Sequence, residues 1–215
     1  MSLWAIVPVK PLRQGKSRLS KVLSEAQREV LNQELLSKTL KCLSDIKEID
    51  QILVISYDPS ALALSRSFGA KTIQENRRTN INKALRRATL AAKAFKATRV
   101  IIIPADIPLI EPNSIKNIIS LSGSPPEIII TPDRKMNGTN ALLINPIGAI
   151  DYDFGEWSFK KHVEQAEQKH IRIVKYDSDK IGFDLDLPED LELLEKFKEI
   201  EKDFSYLTKH QEVAP

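Results

Sequence analysis

Three segments of this chain concentrate residue types that handle phosphate and its counter-cation. The first is Lys10-Pro-Leu-Arg-Gln-Gly-Lys-Ser-Arg-Leu19, which follows the first apolar run. Gly15 permits close backbone approach, and Arg13, Lys16 and Arg18 offer charge to phosphate oxygens. Gly15-Lys16-Ser17 matches the end of a Walker A loop, but Lys10 stands where that loop needs its first glycine, so this is no P-loop. The second segment is Ile101-Ile-Ile-Pro-Ala-Asp-Ile-Pro-Leu109. An aspartate just beyond a fully apolar strand sits at the sheet edge, where Asp106 can share hard Mg²⁺ with a phosphate or can simply cap the turn. The third is Phe183-Asp-Leu-Asp-Leu-Pro-Glu-Asp-Leu191. Asp184 and Asp186 have strand spacing and project to one side, so metal work falls to Asp186 first and Asp184 second. Glu189 and Asp190 lie in the first turn of a helix, where acids balance its dipole.

Two further words are weaker. Asn137-Gly138-Thr139-Asn140 is by itself a turn signal. In Phe154-Gly-Glu-Trp-Ser-Phe-Lys-Lys-His162, Gly155 and Ser158 can present a backbone amide and a hydroxyl to an anion at a helix start. His162 lies one turn later and either joins them or faces solvent. His162 and His170 lack the companions of a zinc site.

These segments need a scaffold that gathers strand ends at one edge. Apolar strand-like runs occur at 3–9, 51–57, 70–73, 99–104, 127–131, 141–144 and 171–176. Helical patterns occupy most gaps: Ser24 opens one with a capping box, Pro59 begins one that stops at Gly69, and Asn80 caps one through Lys96. Others follow Pro112, run over 158–169, and start at Pro188. The alternation predicts a three-layer α/β/α sandwich, Rossmann-like, with a mainly parallel mixed sheet. The strands at 127–131 and 141–144 have no helix between them and are expected to run antiparallel. One domain over 1–204 and a tail over 205–215 are expected.

The 215 residues are 42% hydrophobic and 28% charged, as in an ordinary globular enzyme. Lys plus Arg number 32 against 29 acids, a net charge of +3 that gives no argument for nucleic acid. The Arg77-Arg78 and Arg86-Arg87 pairs have no aromatic platform beside them. The charge is nonetheless polarised: residues 1–24 carry five cations and no acid, while 184–203 carry nine acids and three lysines. A single cysteine, no run of ~20 apolar residues and no leader-like start predict a cytoplasmic protein without a membrane role.

Taken together, the segments resemble the 2-phospho-L-lactate guanylyltransferase family of coenzyme F420 biosynthesis. The matching words are Val7-Pro-Val-Lys-Pro-Leu12 with Gly15-Lys-Ser-Arg-Leu19, and Pro104-Ala-Asp-Ile-Pro-Leu109. Next come Gly138-Thr-Asn-Ala-Leu142, Phe154-Gly155 with Ser158, Phe159 and His162, and Asp184-Leu-Asp186 with Pro188-Glu-Asp-Leu191. Each is weak singly, but their order from residue 4 to 195 is specific. The resemblance implies a GT-A-like nucleotidyltransferase fold and Mg²⁺-dependent transfer of GMP from GTP. The acceptor would be 2-phospho-L-lactate, phosphoenolpyruvate or 3-phospho-D-glycerate, with pyrophosphate released. By position, Lys16 would contact the triphosphate within a loop containing Arg13, Gly15 and Arg18, and Asp106 and Asp186, with Asp184, would hold Mg²⁺. Thr139, Asn140, Gly155, Ser158 and His162 would form the acceptor side. The word Thr79-Asn-Ile-Asn-Lys-Ala-Leu85 makes Asn82 the expected nucleoside contact. Leu187 replaces the threonine common in the related Asp-Thr-Pro motif without touching the carboxylates. A homodimer is compatible with the family, though no sequence stripe demonstrates it. The competing readings are a cytidylyl- or molybdopterin-type enzyme and a catalytically silent nucleotide-binding module.

Overall fold

The apolar runs become the strands of one sheet, the central ones covered on both faces and the edge strands only half-buried. In the computed structural model, which describes residues 2–76 and 80–195, seven strands stand in the order β3-β2-β1-β4-β6-β5-β7. They are β1 (Leu3–Val9), β2 (Gln51–Ser56), β3 (Lys71–Gln74), β4 (Arg99–Ile102), β5 (Glu127–Pro132), β6 (Thr139–Asn145) and β7 (Arg172–Lys175). β1 pairs in parallel with β2 and β4, β2 with β3, and β5 with β7. β6 is antiparallel to both β4 and β5, as expected from the missing helix between β5 and β6. Its reversed direction brings its first residues, Thr139 and Asn140, to the edge where β1 and β4 end. Both belong to the turn expected before the strand; the β5 pairing extends the strand to include them.

Helices α1 (Glu25–Ser44), α2 (Pro59–Ser67) and α4 (Pro112–Ser120) cover one face, while α3 (Ile81–Ala94) and α5 (Ser158–Gln168) cover the other. Alternation along the strands feeds both cores. Ile101 and Ile103 enter the first, and Val100 and Ile102 the second, each fully buried. Burial of one such side chain contributes about 1.5–3 kcal/mol. The caps read from sequence are present: Ser24 and Gln27 form a reciprocal box, and the Asn80 side chain accepts from the Lys83 amide. Val30 of α1 faces solvent, and Thr39 takes an interior place.

A third, smaller core sits beyond the sheet edge. It joins Leu19 and Leu23, Leu31 and Leu35 of α1, Leu109, Phe183, Leu185, and Leu194 of the helix Pro188–Glu195. Leu19 lies just past Lys16, Leu109 just past Asp106, and Phe183 and Leu185 flank Asp184. Hydrophobic packing here therefore gathers all three phosphate-handling segments. The sheet spans the described chain as one unit. The expected tail, the boundary at 204, the Arg77-Arg78 pair, Thr79 and the acids beyond Glu195 lie outside the described residues.

Candidate active site

The loop after β1 turns sharply at Lys16, whose φ of 55° and ψ of 38° are left-handed. Its approach is pinned from both sides. The Leu12 amide donates to the Asp58 carboxylate (2.8 Å), and the Asn32 side chain donates to the Leu12 carbonyl (2.6 Å). Gly15 is required by packing, because a Cβ there would meet the Asn32 amide at 2.6 Å. Its own N–H is committed to the Pro11 carbonyl, so the close approach it allows is to Asn32 and its amide is spent within the turn.

Lys16 then runs inward, its side chain only 5% exposed, and its ammonium spans two carboxylates. Nζ lies 3.1 Å from Asp106 Oδ2 and 3.0 Å from Asp186 Oδ1. Arg18 approaches the other oxygen of Asp186 at 3.5 Å from solvent. The Asp106 and Asp186 segments are tied by backbone as well, through the Leu185 amide and the Asp106 carbonyl (3.2 Å). Residues 183–186 are extended but outside the sheet. Alternation still holds there: Phe183 and Leu185 are buried while Asp184 and Asp186 are partly open.

Charge in this cluster is self-consistent. Burial alone would lower the Lys16 pKa, but Asp106 and Asp186 outweigh it and raise it, so the amine stays an ammonium. Burial would raise Asp186, yet Lys16, with Lys10 and Arg18, holds it below the usual carboxylate range. Asp184 lacks a cation of its own, and burial, reinforced by Asp106 and Asp186, lifts it to about 6.

Hard carboxylate oxygens already arranged around one cationic group suit Mg²⁺, with the Lys16 ammonium as the stand-in ion. Among the described residues, no group of three or more His, Cys, Asp or Glu side chains is arranged so that it could hold a metal ion, so a site here would rest on the two carboxylates alone.

The second cluster lies where β6 begins. Thr139, Ser158 and His162 are all buried. Ser158 Oγ donates to Thr139 Oγ1 (3.2 Å), and His162 Nδ1 lies 3.1 Å from the same oxygen. The Asp153 amide donates to His162 Nε2 (3.0 Å), and the Phe154 ring meets the imidazole edge-on at 5.0 Å. His162 is therefore no surface residue: it is 0% exposed and both of its ring nitrogens are committed to internal hydrogen bonds. Burial pushes its pKa down to about 4.

That shift has a measurable consequence. The unfolded chain takes up a proton on His162 as pH falls below about 6.5, while the folded chain resists until about 4. The contribution to stability is complete above the first value and is lost between the two, about 3 kcal/mol in all. Urea unfolding at pH 7 and at pH 4.5 should show a smaller acid-induced loss for His162→Asn than for the wild type. Equal losses would contradict the assignment.

The remaining predicted residues are held by neighbours of their own. Arg13 pairs with Glu29 of α1 at 2.9 Å and is strongly exposed. Asn82, expected at the nucleoside, clamps the backbone of Phe154, accepting from its N–H (2.8 Å) and donating to its C=O (3.1 Å). The Asn140 side chain donates to the Ile181 carbonyl (2.9 Å), holding the turn that leads to Asp184. Gly155 takes φ +129°, which favours glycine, and its carbonyl accepts the Ser158 amide.

Several supporting residues were not singled out from sequence. Asn137 closes the start of α5 from a distance: its Oδ1 accepts the Trp157 amide (2.6 Å) and its carbonyl the Phe159 amide (3.1 Å). Arg134 lies over the Phe183 ring at 4.3 Å and pairs with Asp190. Asp190 in turn accepts the Asp186 and Leu187 amides at 2.8 and 2.7 Å, the capping role expected of it.

The fold that this sheet order defines is shared with solved structures of low sequence identity. A putative nucleotide-diphospho-sugar transferase from Desulfovibrio desulfuricans superposes with a TM-score of 0.73 at 14% identity, covering 97% of this chain and 95% of that one. CMP:2-keto-3-deoxy-manno-octonic acid synthetase complexed with CTP gives 0.62 at 12% identity, covering 94% and 100%. The family is narrower: residues 3–211 match the model "Guanylyl transferase CofC like", and the chain belongs to that guanylyltransferase family. It is 37% identical over 195 residues to the phosphoenolpyruvate guanylyltransferase of Rubrobacter xylanophilus, covering 91% of this chain and 94% of that protein. It is also 37% identical over 191 residues to the 2-phospho-L-lactate guanylyltransferase of Methanobrevibacter smithii, covering 88% and 82%. The cytidylyl- and molybdopterin-type alternatives are not favoured. No described helix is long and apolar enough to cross a membrane.

Proposed function

We propose that this guanylyltransferase transfers GMP from GTP to the phosphate of a phosphorylated three-carbon acid, in coenzyme F420 biosynthesis, with Mg²⁺ held by Asp106 and Asp186. The observation that carries the reading is the Lys16 ammonium buried between those two carboxylates at the edge where strands β1, β4 and β6 meet. On this reading an acceptor phosphate oxygen attacks the α-phosphorus, a new P–O bond forms, and the bond to the β-phosphate breaks. Pyrophosphate leaves with the electron pair.

Bound Mg²⁺ supplies charge neutralisation and a template for the α-phosphate. Lys16 and Arg18 stabilise the charge that accumulates on the departing pyrophosphate. The acceptor phosphate is already ionised, with a second pKa of ≈ 6, so no side chain has to remove a proton. This accords with a His162 committed to internal hydrogen bonds. On this reading Thr139, Ser158 and the backbone at Gly155 form the acceptor side. Asp184, partly open behind the pair, is a third carboxylate beside that two-carboxylate site. A cytoplasmic location, where GTP is available, accords with this chemistry.

The chain is as similar to a relative named for phosphoenolpyruvate as to one named for 2-phospho-L-lactate. The acceptor therefore rests on assay. Ser158→Ala tests the placement of the acceptor side. Its KM for the acid should rise on the order of tenfold with the KM for GTP little changed, because the variant breaks the Thr139–Ser158 pair that would donate to the charged group. An equal rise in both would count against the placement.

A further inference from the structure

The bonds around His162 leave a remainder that says what Thr139 does. Nε2 accepts the Asp153 amide, so the single proton of the neutral ring is on Nδ1, aimed at Thr139 Oγ1 at 3.1 Å. The same oxygen accepts the Ser158 hydroxyl at 3.2 Å. Both lone pairs of Thr139 Oγ1 are then occupied, and its own hydroxyl hydrogen must be donated elsewhere. Rotating the Thr139–Ser158 bond the other way does not alter the count, because the spare proton then resides on Ser158. In either arrangement a proton enters the pair from His162, and one O–H is left over for an acceptor group outside it. Thr139 is 5% exposed and Ser158 1%, so the surrounding water does little to compete for that proton.

The donor chain is itself braced. The Asn82 clamp on the Phe154 backbone fixes the segment that carries the Asp153 amide. The Asp153 carboxylate is turned to Lys161, a contact of 3.4 Å. With its pKa pushed down by burial, His162 stays neutral through the ordinary working range, so the direction of the chain is constant.

We propose that His162 is a positioning residue that polarises the Thr139–Ser158 pair, fixing one hydroxyl proton as a donor toward the anionic acceptor substrate. The inference rests on the acceptor-side reading above and adds to it a cause for the orientation of the hydroxyls. A neutral imidazole suits this work better than a charged one. An imidazolium would face the Asp153 N–H with a second donor and break the bond that sets the tautomer.

The test compares Thr139→Val, His162→Leu, His162→Asn and His162→Gln in steady-state assays varying acceptor and GTP separately. The asparagine amide reaches the Nδ1 position and can still donate to Thr139; the glutamine amide reaches the Nε2 end and cannot. Leucine and glutamine should raise the acceptor KM on the order of tenfold, with the GTP KM and kcat within about threefold of wild type. Asparagine should restore most of the loss. Equal behaviour of asparagine and glutamine, or an equal rise in both KM values, would overturn the positioning role. That comparison stands even if the leucine variant fails to fold. If Thr139→Val leaves the acceptor KM unchanged, the acceptor-side reading itself fails. If valine raises it while His162→Gln does not, only the role of His162 fails.

Discussion

Asp106→Asn and Asp186→Asn should each lower Mg²⁺-dependent guanylyl transfer by roughly 10²–10³-fold, the scale seen when one preorganised electrostatic group is removed from an active site. The substitutions are isosteric and delete one negative charge from a pair that faces a single cationic position. Both carboxylates are partly open, with side chains 37% and 38% exposed, so neither loss leaves a buried cavity. In either variant the Lys16 ammonium keeps its other carboxylate, and the backbone bond from Leu185 to Asp106 is untouched. Thermal unfolding should accordingly move by only a few degrees. Near-normal turnover in both variants would remove the metal assignment. Loss of the fold in both would show that the pair is structural.

Lys16→Met should have an effect of similar size on turnover, and a second effect of opposite sign on metal binding. The methionine fills most of the buried stem but brings no charge, so the triphosphate loses its deepest cation and transfer should fall by roughly 10²–10³-fold. In the wild type, the ammonium lies about where a divalent ion shared by Asp106 and Asp186 would have to sit, since Nζ is 3.1 and 3.0 Å from their oxygens. On the proposed reading the phosphates of a bound nucleotide would give the Lys16 ammonium another partner, leaving Asp106 and Asp186 free to hold the ion. Without nucleotide, Mn²⁺ should bind Lys16→Met at least tenfold more tightly than wild type by paramagnetic titration. Unchanged Mn²⁺ affinity would mean that Lys16 and the metal occupy separate positions.

How much of this was legible in the sequence follows from how local each signal is. Ile101-Ile102-Ile103 could only be a strand buried on both faces, so an aspartate just beyond it had to lie at the sheet edge. The missing helix between 131 and 141 pointed to the antiparallel β6, whereas its start at Thr139 came only from the pairing with β5. The alternation of Phe183, Asp184, Leu185 and Asp186 separated core from site even though the segment is outside the sheet.

What stayed hidden is what depends on contacts between distant residues. Asn82 pairs with Phe154 across 72 positions, and a helix-start asparagine carries no local mark of such a partner. Leu12 and Asp58 are 46 apart, and the Asp58 carboxylate reads as a helix cap whether or not it also pins the loop. His162 shares a helix face with Ser158, but spacing does not say whether that face is wet or dry. Only the α5 packing against β5 and β7 decides it. Gly15 suggested phosphate contact from its neighbours, whereas Asn32, brought over by α1, accounts for the missing side chain.

The most direct test of the central claim is pyrophosphate release from GTP and Mg²⁺, run in parallel with 2-phospho-L-lactate, phosphoenolpyruvate, 3-phospho-D-glycerate and no acid. The account predicts release that requires one of the acids, with GTP favoured over CTP and ATP. Equal release without any acid, or none with all three while GTP still binds, would contradict the proposed transfer.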